Sequence, residues 1–163
     1  MTEQEKTANG FGAAHDGEVP GSKSPLTEEL LERLLASATP DAYLASNQTE
    51  NRMLAQYVTQ LATEKGTTRS QVIQASGLNA TYCYQIFQGS RRPGRDHAIM
   101  LAFGLGCTLR EAQRLLRLAG VSELWCRIRR DAIIIFAFEH GLSRVECDDE
   151  LYRLGEKTLL PEG

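Results

Sequence analysis

The sequence predicts an all-α protein: a compact helical domain with a helix-turn-helix, flanked by N- and C-terminal helices. Three observations lead there. Apolar residues recur at helical spacing in one segment after another. Most of these segments stop at a glycine, and three open on a Ser/Thr-x-x-Glu/Gln capping box, in which the first hydroxyl and the last side chain satisfy orphan amides.

Residues 1–25 hold four glycines and two prolines with almost no bulky apolar groups, so they cannot offset the entropy of ordering and are expected to form a disordered tail. Thr27, Glu28 and Glu29 mark a helix start, and Leu30, Leu31, Leu34 and Leu35 give it one apolar stripe. Pro40 should end it, which makes 26–50 an N-terminal helix and linker. The next helix carries Met53, Leu54, Tyr57, Val58 and Leu61 and stops at Gly66. Thr68 to Gln71 is the first capping box and opens a helix through Val72, Ile73 and Ala75 to Gly77. Asn79 then caps a helix with Cys83, Ile86 and Phe87 on its inner face, stopped by Gly89. Ala98, Ile99, Leu101, Ala102 and Leu105 mark another, closed by Gly106. The second box, Thr108 to Glu111, starts a helix with Ala112, Leu115, Leu116 and Ala119 inside and Gly120 at its end.

Leu124, Trp125, Ile128, Ala132 and Ile135 suit a further helix. Its Ile133-Ile134-Ile135 run has β propensity, but no nearby strand signal exists to pair with it. A helix apolar all round has to be buried on all sides, as core or partly against a second subunit. The third box, Ser143 to Glu146, opens a last helix to about Leu154. The expected organisation is a tail, the 26–50 element, a 51–120 helix-turn-helix domain, and 121–163 as C-terminal helices that extend the core and supply a dimer contact.

At 42% apolar and 24% charged residues the composition is that of a globular protein. The longest uninterrupted apolar run, Ala132 to Phe138, is far shorter than the ~20 residues that span a bilayer. Nor does a basic start precede an apolar stretch at the N-terminus, so a cytoplasmic location is expected. Cys83, Cys107, Cys126 and Cys147 form no Cys-x-x-Cys pair and have no histidine at ligand spacing, which predicts reduced thiols and no metal. The net charge of −3 argues against a nucleic-acid ligand, but its distribution reverses that. Residues 1–50 carry nine acids and three bases, whereas 65–95 carry five bases and no acid.

Gly66, Thr68, Gly77, Gly89, Arg91, Arg92 and Pro93 together resemble the helix-turn-helix of the Cro/lambda-repressor-like, or XRE-type, regulator family. There a glycine closes the first helix, Ser or Thr caps the second, a glycine forms the turn, and a glycine, a basic stretch and a proline end the recognition segment. The resemblance covers about 53–119. Ile73 departs from the small alanine usual in the second helix, Arg69 replaces a common glutamine, and Phe87 a common acidic residue. The resemblance implies a lambda-repressor-like fold, a homodimer on a pseudo-palindromic site, and base contacts at Ala80, Thr81, Tyr84 and Gln85.

The residues support the same assignment independently. If Cys83 and Ile86 point inward, then Ala80, Thr81, Tyr84, Gln85 and Gln88 point outward. Gln85 can pair bidentately with adenine, Ala80 and Thr81 can touch a thymine methyl, and Tyr84 can reach a base or phosphate. Thr68, Arg69, Asn79, Gln88, Arg91 and Arg92 are the candidate phosphate contacts. Each also has a plainer reading, as a solvated loop for Arg91 and Arg92 and as exposed helix formers for Gln85 and Gln88. Tyr82 suits packing better than DNA contact.

Catalysis has no comparable support. His15, His97 and His140 enter no triad logic, and Asp148, Asp149 and Glu150 point to different faces of a helix. The expected function is therefore a non-enzymatic, sequence-specific double-stranded DNA-binding transcriptional regulator without a cofactor, acting through a major-groove helix at about 79–88. The alternative is a protein-interaction adaptor that has lost DNA affinity and works through its N-terminal or C-terminal helices.

Overall fold

The structure, a computed structural model, describes residues 27–46 and 50–161, and the expected tail lies outside them. The described residues are helical and contain no strand. The chain divides into two units, Met1–Tyr43 and Leu44–Gly163.

The first unit contains α1 (Thr27–Ala36), whose Leu31, Leu34 and Leu35 are exposed, and the start of α2 (Pro40–Ser46). Pro40 was expected only to end a helix; it also begins one. The Thr39 hydroxyl accepts the Ala42 amide at 3.2 Å, and a proline at the first helical position loses no hydrogen bond, so part of the expected linker is helical.

The second unit holds α3 (Glu50–Glu64), α4 (Arg69–Ser76), α5 (Ala80–Gln88), α6 (Arg95–Gly104), α7 (Leu109–Leu118), α8 (Arg129–Glu139) and α9 (Arg144–Arg153). All three capping boxes form, at Thr68, Thr108 and Ser143. Helix α3 packs on α5 and α7, α4 on α6, and α8 on α9. Leu54, Val58, Leu61, Val72, Cys83, Ile86, Ile99, Leu101, Leu115 and Leu116 are buried in one core, which Ile134 and Leu151 extend. The α4–α6 crossing is close because Gly104 has no side chain: a Cβ there would lie 2.7 Å from the Ser76 Cβ and the Val72 carbonyl oxygen.

The C-terminal part departs from expectation in two ways. Residues 122–128, expected to begin a helix, form a loop, and α8 starts at Arg129. Side chains have taken the backbone groups that a helix would use. Gln113 donates to the Leu124 carbonyl at 2.8 Å and accepts the Leu124 amide at 2.7 Å, while Asp131 accepts the Trp125 amide at 3.0 Å. Nor is α8 buried all round within the chain. Ile134, Ala137 and Phe138 face the core, with Phe138 stacked on Phe103 at 4.0 Å, but Phe136 is 54% exposed and stacks on His140.

Helices α6 and α8 each carry an Arg-Asp dipeptide in or near the first turn, and the two pair reciprocally. Arg95 donates to both Asp131 carboxylate oxygens at 2.9 and 2.7 Å, and Arg130 to both Asp96 oxygens at 2.8 and 3.0 Å. Each arginine also reaches backbone carbonyls, Arg95 those of Ser122 and Glu123, Arg130 those of Lys157 and Thr158. Asp131 is 1% exposed. Burial alone would push its carboxyl up, but the Arg95 hydrogen bonds, the Trp125 amide and the nearby arginine charges outweigh that and hold it below the ordinary carboxylate range.

Asp131→Asn should therefore cost about 2–4 kcal/mol, because it leaves the Arg95 guanidinium without its counter-charge. The Asp131 contribution is fully present above the unfolded value near pH ~4 and is lost as pH falls through the lower folded value. Urea unfolding from neutral pH down to about pH 2 should show a steep acid limb in the wild type that is shallower in the variant.

Candidate nucleic-acid interface

Helix α5 divides cleanly between two environments. Cys83, Ile86 and Phe87 are buried, whereas Ala80, Thr81, Tyr84 and Gln88 are exposed and Gln85 is half-buried between them. The turn before it is Gly77, Leu78 and Asn79. Gly77 is left-handed at φ +76°, Leu78 is buried as an apolar plug, and the Asn79 side chain accepts the Tyr82 amide at 3.2 Å. At the other end Gly89 is left-handed at φ +78° and lets the chain leave the helix sharply.

All five outward residues expected from the sequence thus lie on one continuous face of α5. Thr68 and Asn79 sit at the N-caps of α4 and α5, their oxygens spent on the Gln71 and Tyr82 amides. The Thr68 hydroxyl hydrogen and the Asn79 amide hydrogens stay available to an acceptor. The Arg69 guanidinium lies 5.9 Å from the Tyr84 ring and 5.3 Å from the Phe87 ring, and Arg91 lies 5.0 Å from the Tyr82 ring. The Tyr82 hydroxyl is hydrogen-bonded to His97 Nδ1 at 3.0 Å, which makes it a packing residue that ties α5 to α6.

Arg92 is placed differently from its neighbour. Its Nε donates to the Ala119 carbonyl at 2.7 Å, and a Cβ at Gly120 would overlap its guanidinium, so it closes the end of α7. The other two bases of the acid-free segment are paired with carboxylates, Lys65 with Glu111 at 2.9 Å and Arg95 with Asp131 at 2.7 Å. Arg69 and Arg91 meet aromatic rings and, among the described residues, no carboxylate.

Arg144 of α9 lies behind the turn; a Cβ at Gly77 would come 2.9 Å from its Nε, which is buried and has no hydrogen-bond partner. Its Nη1 pairs with Asp148 at 2.7 Å, and Asp148 also accepts the Leu159 and Leu160 amides. The acidic run of α9 is therefore partly structural. Sequence reasoning did not single out Arg95, Asp131 or Arg144; the repeated Arg-Asp dipeptide was the available signal for the first two.

Among the described residues no group of three or more His, Cys, Asp and Glu side chains is arranged to hold a metal ion. Burial pushes the Cys83 thiol up to about 11 and those of Cys107 and Cys147 to about 12, which leaves them inert at neutral pH. No described helix is long and apolar enough to cross a membrane. No protein-family model, curated protein or solved structure matches this chain.

The two loop arginines should separate in stability. Arg92→Ala removes a charge-assisted bond to a helix end and should lower unfolding free energy by about 1–2 kcal/mol. Arg91→Ala should stay within about 0.5 kcal/mol of wild type in the same denaturation series.

Proposed function

We propose that the protein is a sequence-specific double-stranded DNA-binding regulator that reads the major groove with α5. The observation that carries this reading is the outward face of that helix. It is uncharged and exposed save for half-buried Gln85, its side chains are small or polar, and two arginines with no carboxylate partner among the described residues lie beside it, Arg69 against Tyr84 and Phe87 and Arg91 against Tyr82. Groove floors are read by such groups, and phosphates are met by such flanks. In this reading Gln85 pairs with adenine, Ala80, Thr81 and Tyr84 make the neighbouring contacts, and Arg69, Arg91 and Gln88 grip the backbone. The helix-turn-helix is of the lambda-repressor type, and Arg92 supports the loop from within.

A homodimer on a two-fold site belongs to the same proposal. Phe136, Val145 and Tyr152, on the helices after Gly120, are exposed and apolar. They supply the surface a second copy would need. The same residues favour the adaptor as the second reading, in which a different protein occupies them.

The test is selection of a preferred duplex from a random pool, followed by binding at several salt concentrations. Gln85→Ala should weaken the preferred site by about 1–3 kcal/mol and change binding to random DNA little, whereas Arg91→Ala should weaken both alike and lower the salt slope by about one. Failure to bind any duplex, with a stable complex to another protein, would establish the adaptor instead.

A further inference from the structure

The loop 122–128 between α7 and α8 is held along its backbone and open along its side chains. Arg95 binds the Ser122 and Glu123 carbonyls at 2.9 and 3.0 Å, Gln113 holds both backbone groups of Leu124, Asp131 takes the Trp125 amide, and the Ile128 amide returns to the Trp125 carbonyl at 3.0 Å. Yet Trp125 is 60% exposed, and Cys126, Arg127 and Ile128 face solvent beside it. A loop so tied has already lost its backbone freedom, so a ligand that binds it need not supply that ordering.

Two observations say which ligand. The loop runs alongside the segment that follows α5, because Arg92 reaches Ala119 and Arg95 reaches Ser122 and Glu123 across the seam. Its charge is also unbalanced on the positive side. Arg127 has no carboxylate partner among the described residues, although Arg129 and Arg130 nearby are paired with Glu156 and Asp96, and the loop's one acid, Glu123, is bound to Arg117 at 2.7 Å. In the chain Arg91 immediately precedes Arg92, and Arg127 follows Glu123 by four residues.

We propose that this loop is a second contact element for duplex DNA, with Arg127 on a backbone phosphate and the Trp125 indole N–H directed to a neighbouring phosphate or sugar oxygen. It continues along the strand the phosphate track that starts at Arg91. The proposal rests on the DNA reading of α5, from which its test separates it.

The full chain is titrated with its selected duplex as wild type, Arg127→Ala, Arg127→Lys and Gln85→Ala, with thermal melting of each variant as a folding control. Arg127→Ala should melt like wild type, bind about 5–10-fold more weakly at low salt on preferred and random duplexes alike, and lose about one unit of salt slope; Arg127→Lys should recover most of the affinity. Unchanged affinity and slope for Arg127→Ala, alongside a loss for Gln85→Ala, would overturn this proposal and leave the α5 reading standing. A shift of Arg127→Ala toward monomer in sedimentation, with DNA affinity per protomer unchanged, would place the loop in a protein interface and overturn it as well. Absence of duplex binding by the wild type would overturn both.

Discussion

The C-terminal part of the second unit depends on the reciprocal pairing of Arg95 with Asp131 and of Asp96 with Arg130. A buried carboxylate is costly to desolvate, and only bidentate geometry with the remaining lone pairs satisfied makes such a pair tolerable. Both conditions are met, since Asp131 accepts two Arg95 bonds and the Trp125 amide. The pairing joins the beginning of α6 to the beginning of α8 and leaves little freedom in how they meet. Through the same Arg95 it fixes the 122–128 loop, and through Arg130 it fixes the chain after α9.

That clasp bears on α5 because α6 starts only a few residues after α5 ends. The loop between them carries Arg91, Arg92 and Pro93, and it is secured by Arg92 on Ala119 and by Arg95 on Asp131. At the other end of α5, Arg144 packs behind Gly77. The C-terminal helices therefore brace α5 at both ends, while its inner face is fixed in the core by Cys83, Ile86 and Phe87. A helix held this way presents its outer face without ordering itself on binding, which lowers the cost of forming a complex.

Much of this was legible in the sequence, and what was legible was local. Capping boxes act within four residues and glycine stops within two, so the helices from α3 to α7 and the inner and outer faces of α5 could be read directly. The start of α8 could not. Leu124 and Trp125 have helical spacing, but their amides are claimed by Gln113 and Asp131, partners that folding alone supplies. The charge count is local in the same way: it registers Lys65, Arg92 and Arg95 as positive charge but not that Glu111 and Asp131 pair with the first and last or that Arg92 is held on the Ala119 carbonyl. Of that segment, Arg69 and Arg91 have aromatic neighbours and no carboxylate partner among the described residues. Phe136 lies within the 132–138 apolar run yet is exposed in the chain, and the run itself does not reveal which of its members the core will leave outside.

Titrating the isotopically labelled protein with its preferred duplex and following backbone amide shifts would test the account most directly. We expect the large perturbations to fall on Ala80, Thr81, Tyr84, Gln85 and Gln88 and on the loop around Arg91, with the buried α6 core almost unmoved and Arg95 and Asp131 still paired. Perturbations confined to the exposed residues of α8 and α9, with the α5 face silent at saturating duplex, would contradict it.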